Sequence, residues 1–497
     1  MITWLKILTF NNVGQAIERD DTVDIKKSSG MLDKKFIFSL IAIVIGIIVA
    51  IARPFDGLDK TGHIMLGAVI AALAVWMFRP GSGSFTAGGV ILFFGGSIAG
   101  LSMADVASGF SSPSLWLLIP AMFLGFALLK TGLGKRIVFL LFKRLNLSYP
   151  KILIGWLVVG ILFSFLTPSI TVRFLILTPI AVSVADACRL EKGSRGRSLI
   201  IISAWVVSIF PGTSWKNGSL YGPVFSSYLP QGPMFDMATE AAWIKVMAVP
   251  WMLMAVMFLV CLYFVLKPEQ KLSVTKSQIT QMYSDLGPVG SEEKRTIGAF
   301  TILLVGLVLQ NFLPITTNQV LFIAFAALLL FGVLSVKEVS TGINWDIVVF
   351  FGVILSFSRI FEVSGITAWL SPMLAAMLEP FASSILLFIL ALYVICVLLR
   401  FLDVAQGWII SAIIAMAAPN LYDSFGIHPL ILVMIFICAS NLFFFRYHQP
   451  WVGQVEAVCG DNGWNPKHLQ KASVLYAVLT AVMLVVSYFY WQLVGII

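Results

Sequence analysis

Charge is what this chain has least of. Asp, Glu, Lys and Arg supply 11% of its 497 residues and hydrophobic residues 59%, where an ordinary globular protein carries about 25% charge. That scarcity excludes a soluble enzyme or a disordered scaffold, and it overrides the roughly three soluble domains that length alone would suggest. Cysteine is sparse as well. Cys188, Cys261, Cys396, Cys438 and Cys459 show no paired spacing, which excludes a secreted disulfide framework and leaves small buried thiols. No Gly-rich loop with Lys and Ser or Thr is present to cradle phosphates, so ATP-driven pumping has no support. The four histidines, His63, His428, His448 and His468, are too dispersed for a metal cluster, and no Ser/His/Asp grouping stands out. No catalytic residue, metal site or cofactor is expected, Na⁺ as a coupling ion apart.

What the chain does have is long apolar runs, with a mean hydropathy of +0.95. Runs near the ~20 residues that cross a bilayer lie at about 36–53, 62–78, 86–103 and 114–130. Residues 151–185 are apolar but broken by Leu166-Thr167-Pro168-Ser169, leaving two arms of about 16 residues, roughly 24 Å each. A helical hairpin that enters the membrane and turns back is one solution, because irregular backbone at that depth is tolerated only in protein or a wet cavity. A span interrupted by Pro211-Gly212-Thr213-Ser214-Trp215-Lys216-Asn217-Gly218 follows at 198–225, then a span at 241–266. Residues 267–295 are polar and charged and read as a cytoplasmic linker.

The remainder, 296–497, offers spans near 296–312, 319–334 and 345–361, and a stretch at 383–417 broken around Arg400 to Gln406. An interrupted span at 428–459 and a last span at 472–495 complete it. Both halves present the same order, each passing through a short turn, Lys130-Thr131-Gly132-Leu133 or Val363-Ser364-Gly365-Ile366, before its broken stretch. The expected fold is an all-α polytopic membrane protein of about eleven transmembrane helices plus two re-entrant helical hairpins in an inverted repeat. Its units are a cytoplasmic N-terminal arm at 1–35, span 1 plus the first repeat at 36–266, the linker, and the second repeat at 296–497.

A net charge of +9 raises nucleic-acid binding, so the placement of the 33 Lys and Arg residues decides. Threaded with both hairpins returning to their side of entry, most fall in loops on the side of the N-terminus. Only Arg53 and Lys60 face the other side, and Arg173, Lys216, Lys245, Arg359, Arg400 and Arg446 lie in or at the ends of apolar segments. The bias places the N-terminus in the cytoplasm and leaves no nucleic-acid surface. A cell-membrane location follows, the inner membrane in a Gram-negative cell.

Phe126-Ala127-Leu128-Leu129-Lys130-Thr131-Gly132-Leu133-Gly134, then Ser169-Ile170-Thr171 ten residues before Pro179, then Gly212-Thr213, resemble the divalent anion/sodium symporter family of the ion transporter superfamily. Phe351-Gly352-Val353 and Phe361-Glu362-Val363-Ser364-Gly365 repeat the pattern, and the likeness in element order covers roughly 60–497. It implies a homodimer in the bilayer with two opposed hairpins. Their tips carry Ser-Asn-Thr, which binds sodium and a di- or tricarboxylate or sulfate, and an elevator-like motion carries the site across. This chain departs at both tips: Ile170 stands where the amide belongs, and Arg400-Phe401-Leu402-Asp403-Val404-Ala405-Gln406-Gly407 replaces the second triplet.

The first tip is still suited to an anion. A helix starting near Ser169 leaves backbone N–H groups and partial positive charge at its end. Arg173 sits one turn on, in an apolar arm where a charge costs about 2.5–3.5 kcal/mol. Either it faces the cavity and binds the anion, or it pairs with a buried acid or reaches the interface. Asp403 either serves the coupling cation or proton or pairs with Arg400, Arg446 or Arg173. The two interrupted spans offer unwound backbone and polar side chains at membrane depth, and His448 titrates near physiological pH when unperturbed.

The substrate set is therefore Ser169, Thr171, Arg173, Thr213, Asn217, Asn441, Arg446 and Gln449; the coupling-ion set is Asp403, Gln406, Gly212 and His448. They describe a secondary transporter of a small anion, coupled to Na⁺ or H⁺ or working as an exchanger. Its rivals are a cation/proton antiporter and a non-transporting membrane protein or intramembrane enzyme on the same fold.

Overall fold

The computed structural model describes residues 34–497 except 79, 81–83, 145–147, 231, 271, 273–275, 311, 382–383, 402–406 and 446–447. The N-terminal arm expected at 1–35 lies almost wholly outside the described residues, as do Asp403, Gln406 and Arg446. The described residues form helices and connections and contain no strand, as expected where lipid leaves backbone groups only intrahelical partners.

The first half contains α1 (Lys34–Ala52), α2 (Lys60–Phe78), α3 (Thr86–Ile98), α4 (Pro113–Lys130), α5 (Leu133–Phe142), α6 (Tyr149–Leu166), α7 (Ile170–Ala187), α8 (Arg195–Val206) and α9 (Val249–Leu266). The second contains α10 (Ser291–Leu309), α11 (Thr317–Leu330), α12 (Trp345–Leu355), α13 (Ile385–Leu399), α14 (Trp408–Ala415), α15 (Pro429–Ser440), α16 (Pro450–Cys459) and α17 (Pro466–Leu493). Among the described residues eight helices are long and apolar enough to cross a membrane, and a pair bent by 90°, Trp345–Val363 and Ile366–Leu374, makes nine. The runs expected at 86–103, 319–334, 383–417 and 428–459 contain shorter apolar helices, Thr86–Ile98, Thr317–Leu330, Ile385–Leu399 and Pro429–Ser440.

The break expected in 151–185 falls at Thr167-Pro168-Ser169. Pro168 disfavours helix at the residue before it, and α6 stops at Leu166; the Ser169 hydroxyl then accepts from the Val172 amide and starts α7. Each arm has 18 residues, about 27 Å, so length alone would also suit a full crossing. The turn is nevertheless interior. Thr167 is fully buried and donates to the Ala121 carbonyl at 3.3 Å, midway along α4, whereas a connection at the membrane surface would be exposed.

A glycine turn recurs in both halves. After α4 the chain turns at Gly132 (φ 74°) into α5, and after Phe357–Val363 it turns at Gly365 (φ 75°) into Ile366–Leu378; only glycine adopts that backbone without strain. The halves also exchange ion pairs. Lys130 meets Glu338 at 2.7 Å and Arg359 meets Asp105 at 2.8 Å. Each acid sits three residues after a serine, Ser335 or Ser102, whose hydroxyl accepts from its backbone N–H.

The linker is docked rather than loose. Arg136 of α5 grips Glu293 through two bonds of 2.7 and 2.9 Å and donates to the Gly287 carbonyl at 3.0 Å, while Lys143 lies 3.7 Å from the Tyr283 ring centre. Burial alone would push the Glu293 carboxyl up, but the Arg136 guanidinium and the Gly290 amide outweigh it and hold it below the usual range.

Candidate functional site

Arg173 lies in the first turn of α7 and is fully buried. Its Nη2 donates to the Pro168 carbonyl at 3.4 Å, while Nε and Nη1 have no hydrogen-bond partner. Among the described residues no carboxylate pairs with it. The guanidinium instead lies against the unwound part of the first interrupted span: a Cβ on Gly212 would stand 2.3 Å from Arg173 Nη1 and 2.4 Å from the Gly218 carbonyl oxygen. Gly212 is therefore a close-approach residue, and any side chain there displaces the charge.

The unwinding has local causes. α8 ends at Val206, and short turns at Pro211–Ser214 and Lys216–Gly218 carry the chain to a helix at Tyr221–Ser226; Pro211 has no N–H to continue the helix. Thr213 is committed nearby, its hydroxyl donating to Ile209 and its carbonyl accepting from Trp243. The Ser214 and Ser219 hydroxyls are buried without a partner. Asn217 points elsewhere: its amide donates to Glu240 at an exposed edge, and no hydrogen bond links it to Arg173. Ser169 acts as the helix cap, and Thr171 is half-buried beside it.

The second half supplies Arg400, which follows α13, is 1% exposed and donates to the His448 carbonyl. Gly407 lies beside it, with the position of its absent Cβ 2.9 Å from Arg400 Cδ. His448 is buried with the edges of Phe401, Phe444 and Phe445 around it. Gln449 donates to the Ser440 carbonyl at 3.4 Å, and Asn441 donates to Ile437 at 3.1 Å.

Tyr221 is a further link between the halves. Tyr221 is fully buried and donates its hydroxyl to Asn441 Oδ1 at 2.8 Å, and its ring centre lies 6.0 Å from that of Trp451, which is 6.4 Å from that of Phe174, the neighbour of Arg173. Of the residues expected from sequence, Gly212 lies against Arg173, Asn441 meets Tyr221, Gln449 bonds the Ser440 carbonyl and His448 lies beside Arg400. Arg400 and Tyr221 were missing from that set. A charge inside an apolar stretch, the signal that singled out Arg173, also marks Arg400; nothing local marks Tyr221, whose partner is in the other half of the chain.

Arg173, with two nitrogens unpartnered, lies against unwound backbone and buried serines, and acceptor-rich ligands are the chemistry that satisfies such donors. Helices that cross a bilayer around a buried polar centre are the build of a multi-pass membrane transporter rather than an enzyme. Residues 33–497 match the family described as "Sodium:sulfate symporter transmembrane region", and the chain belongs to that family, which implies a small anionic substrate and a lipid surrounding. Similar proteins include an uncharacterized transporter of Haemophilus influenzae, 24% identical over 383 residues, covering 73% of this chain and 78% of the relative. The chloroplast dicarboxylate transporter 1 of Spinacia oleracea is 24% identical over 349 residues, 67% of this chain and 59% of its own. The L-tartrate/succinate antiporter of Escherichia coli O6:K15:H31 is 26% identical over 385 residues, 72% and 73% of the two chains.

Proposed function

We propose that this protein exchanges small divalent anions, di- or tricarboxylates or sulfate, across the cell membrane by an elevator-type movement of two re-entrant hairpins. The observation that carries the reading is Arg173, a fully buried guanidinium with Nε and Nη1 unpartnered. A desolvated charge is held at a cost of several kcal/mol, and a bound anion offsets that cost. Ile170 stands where related tips carry the amide of a sodium site, and the fixed charge of Arg173 takes the cation's place in this reading. The guanidinium stays behind when the anion leaves, so the empty form must return with a buried, uncompensated charge, and exchange outruns net uptake. Relatives named for dicarboxylates and for tartrate/succinate antiport agree with this direction. The homodimer, the inverted repeat and the cytoplasmic N-terminus are parts of the same proposal.

The test is counterflow in proteoliposomes with labelled dicarboxylates, citrate and sulfate, with and without Na⁺ and a pH gradient. Exchange that needs an internal anion and ignores Na⁺ is expected. Uptake into liposomes without internal anion, driven by Na⁺ or by protons, would overturn exchange; uptake of none of the panel would overturn the anion reading itself.

A further inference from the structure

We infer that Glu240 is a positioning residue for the anion site: it holds the unwound part of the first interrupted span against Arg173 without touching the anion. This rests on the anion reading above. The unwound part consists of two short turns, Pro211–Ser214 and Lys216–Gly218, and the end groups of any helical turn have no partner inside it. Their partners come from the short helix Glu240–Trp243 at the head of the next span. Trp243 Nε1 donates to the Thr213 carbonyl at 3.0 Å, and Glu240 Oε1 accepts from the Lys216 backbone N–H at 3.2 Å. Glu240 Oε2 accepts from the Asn217 amide at 3.3 Å, and the Lys216 ammonium donates to the Ala238 carbonyl.

What this clamp fixes reaches Arg173 without slack. Gly212 and Gly218 have no room for a side chain: a Cβ on Gly212 would strike Arg173 Nη1 and the Gly218 carbonyl oxygen, and one on Gly218 would strike the Trp215 ring and the Gly212 carbonyl oxygen. Trp215, between the turns, is stacked on Phe165 of α6 with ring centres 4.3 Å apart. Contacts this close pass a displacement on rather than absorb it. Trp243 is fully buried, and its loss would leave a void. Glu240 is exposed, so its loss acts on the turn alone.

Charge and position predict opposite signs. As a charge, Glu240 repels an anion, and removing it should tighten binding. As a clamp, it keeps the turn in place, and removing it should loosen binding. Glu240→Gln removes the charge but keeps an acceptor for Lys216 and a polar group for Asn217.

The experiment measures the half-saturating anion concentration in counterflow and the thermal stabilisation of the purified protein, with whichever of succinate and sulfate wild type exchanges. Glu240→Ala should raise the half-saturating concentration about ten-fold, with turnover at saturation within about two-fold of wild type. Its ligand-free melting temperature should stay level, and Glu240→Gln should behave as wild type. If Glu240→Ala yields no folded protein, Asn217→Ala, which removes one of the two contacts and keeps the acid, should show a smaller rise. Unchanged or tighter binding in the variant used, or a Glu240→Gln as impaired as Glu240→Ala, would overturn the clamp while leaving anion exchange standing. A wild type that neither exchanges nor is stabilised by succinate or sulfate takes both readings down.

Discussion

Arg136 and Arg173 are both buried arginines in the first half, and they are held in opposite ways. Arg136, at the junction with the linker, has a carboxylate, three backbone carbonyls and an aromatic ring around it. Arg197 is similar, bonded to Asp186, Leu190 and Asn462. Arg173 is buried more deeply and donates one long bond, to the Pro168 carbonyl just before its helix. A charge that serves the fold is neutralised by the chain; one that the chain leaves open is, in the proposed reading, completed by the anion. That difference separates stability from function in this molecule and gives the experiments their order.

The largest effect is expected at Arg173. Arg173→Met should reduce anion counterflow by about 100-fold or more, while the melting temperature stays level or rises, since replacing an uncompensated buried charge by an apolar side chain is neutral or stabilising. The linker pair should show the reverse. Glu293→Gln leaves Arg136 buried and uncompensated and should destabilise by about 3–5 kcal/mol, with exchange per folded molecule retained. Thermal melts and counterflow on the same preparations separate the two patterns; a matching loss of stability in both variants would erase the comparison.

Smaller changes sharpen it. Gly212→Ala brings a Cβ within 2.3 Å of Arg173 Nη1 and should lower exchange by about ten-fold, because an ångström of displacement at a site is enough for such a loss. The pH dependence of the linker pair has a definite sign. The Glu293 carboxyl is held below its usual range, so its contribution is fully present above the unfolded value near about 4.3 and is lost as pH falls through the lower folded value. Wild type and Glu293→Gln should therefore differ in melting temperature at pH 7 and converge as the solution is acidified below pH ~4. The smallest effect belongs to Arg359→Gln. Its pair with Asp105 is exposed, and water and salt leave such pairs little weight; an unchanged melting temperature is expected.

Several of these features are legible in the sequence. Pro168 and the Pro211-Gly212 pair announced breaks in apolar runs, and the helices stop at Leu166 and Val206, because proline acts on its immediate neighbours wherever it stands. The charge of Arg173 in an apolar arm was visible for the same local reason. The shorter helices Thr86–Ile98 and Thr317–Leu330 were less visible, since hydropathy continues past the point where the backbone turns. The reciprocal pairs Lys130–Glu338 and Arg359–Asp105 and the Tyr221–Asn441 bond join residues more than 200 positions apart. Tyr221 has the look of any aromatic in an apolar segment until the two halves close around it. Asn217, polar and in the break, donates to Glu240 at an exposed edge, a partner 23 positions away that its own segment does not announce.

The most direct measurement is anion-dependent thermal stabilisation of the purified protein, wild type against Arg173→Met, with succinate, malate and sulfate titrated at constant ionic strength. A wild type whose melting temperature climbs with a divalent anion, beside a variant that starts as stable and does not respond, is the predicted result. Equal stabilisation of both proteins would contradict the account, for the open guanidinium would then not be where the anion binds.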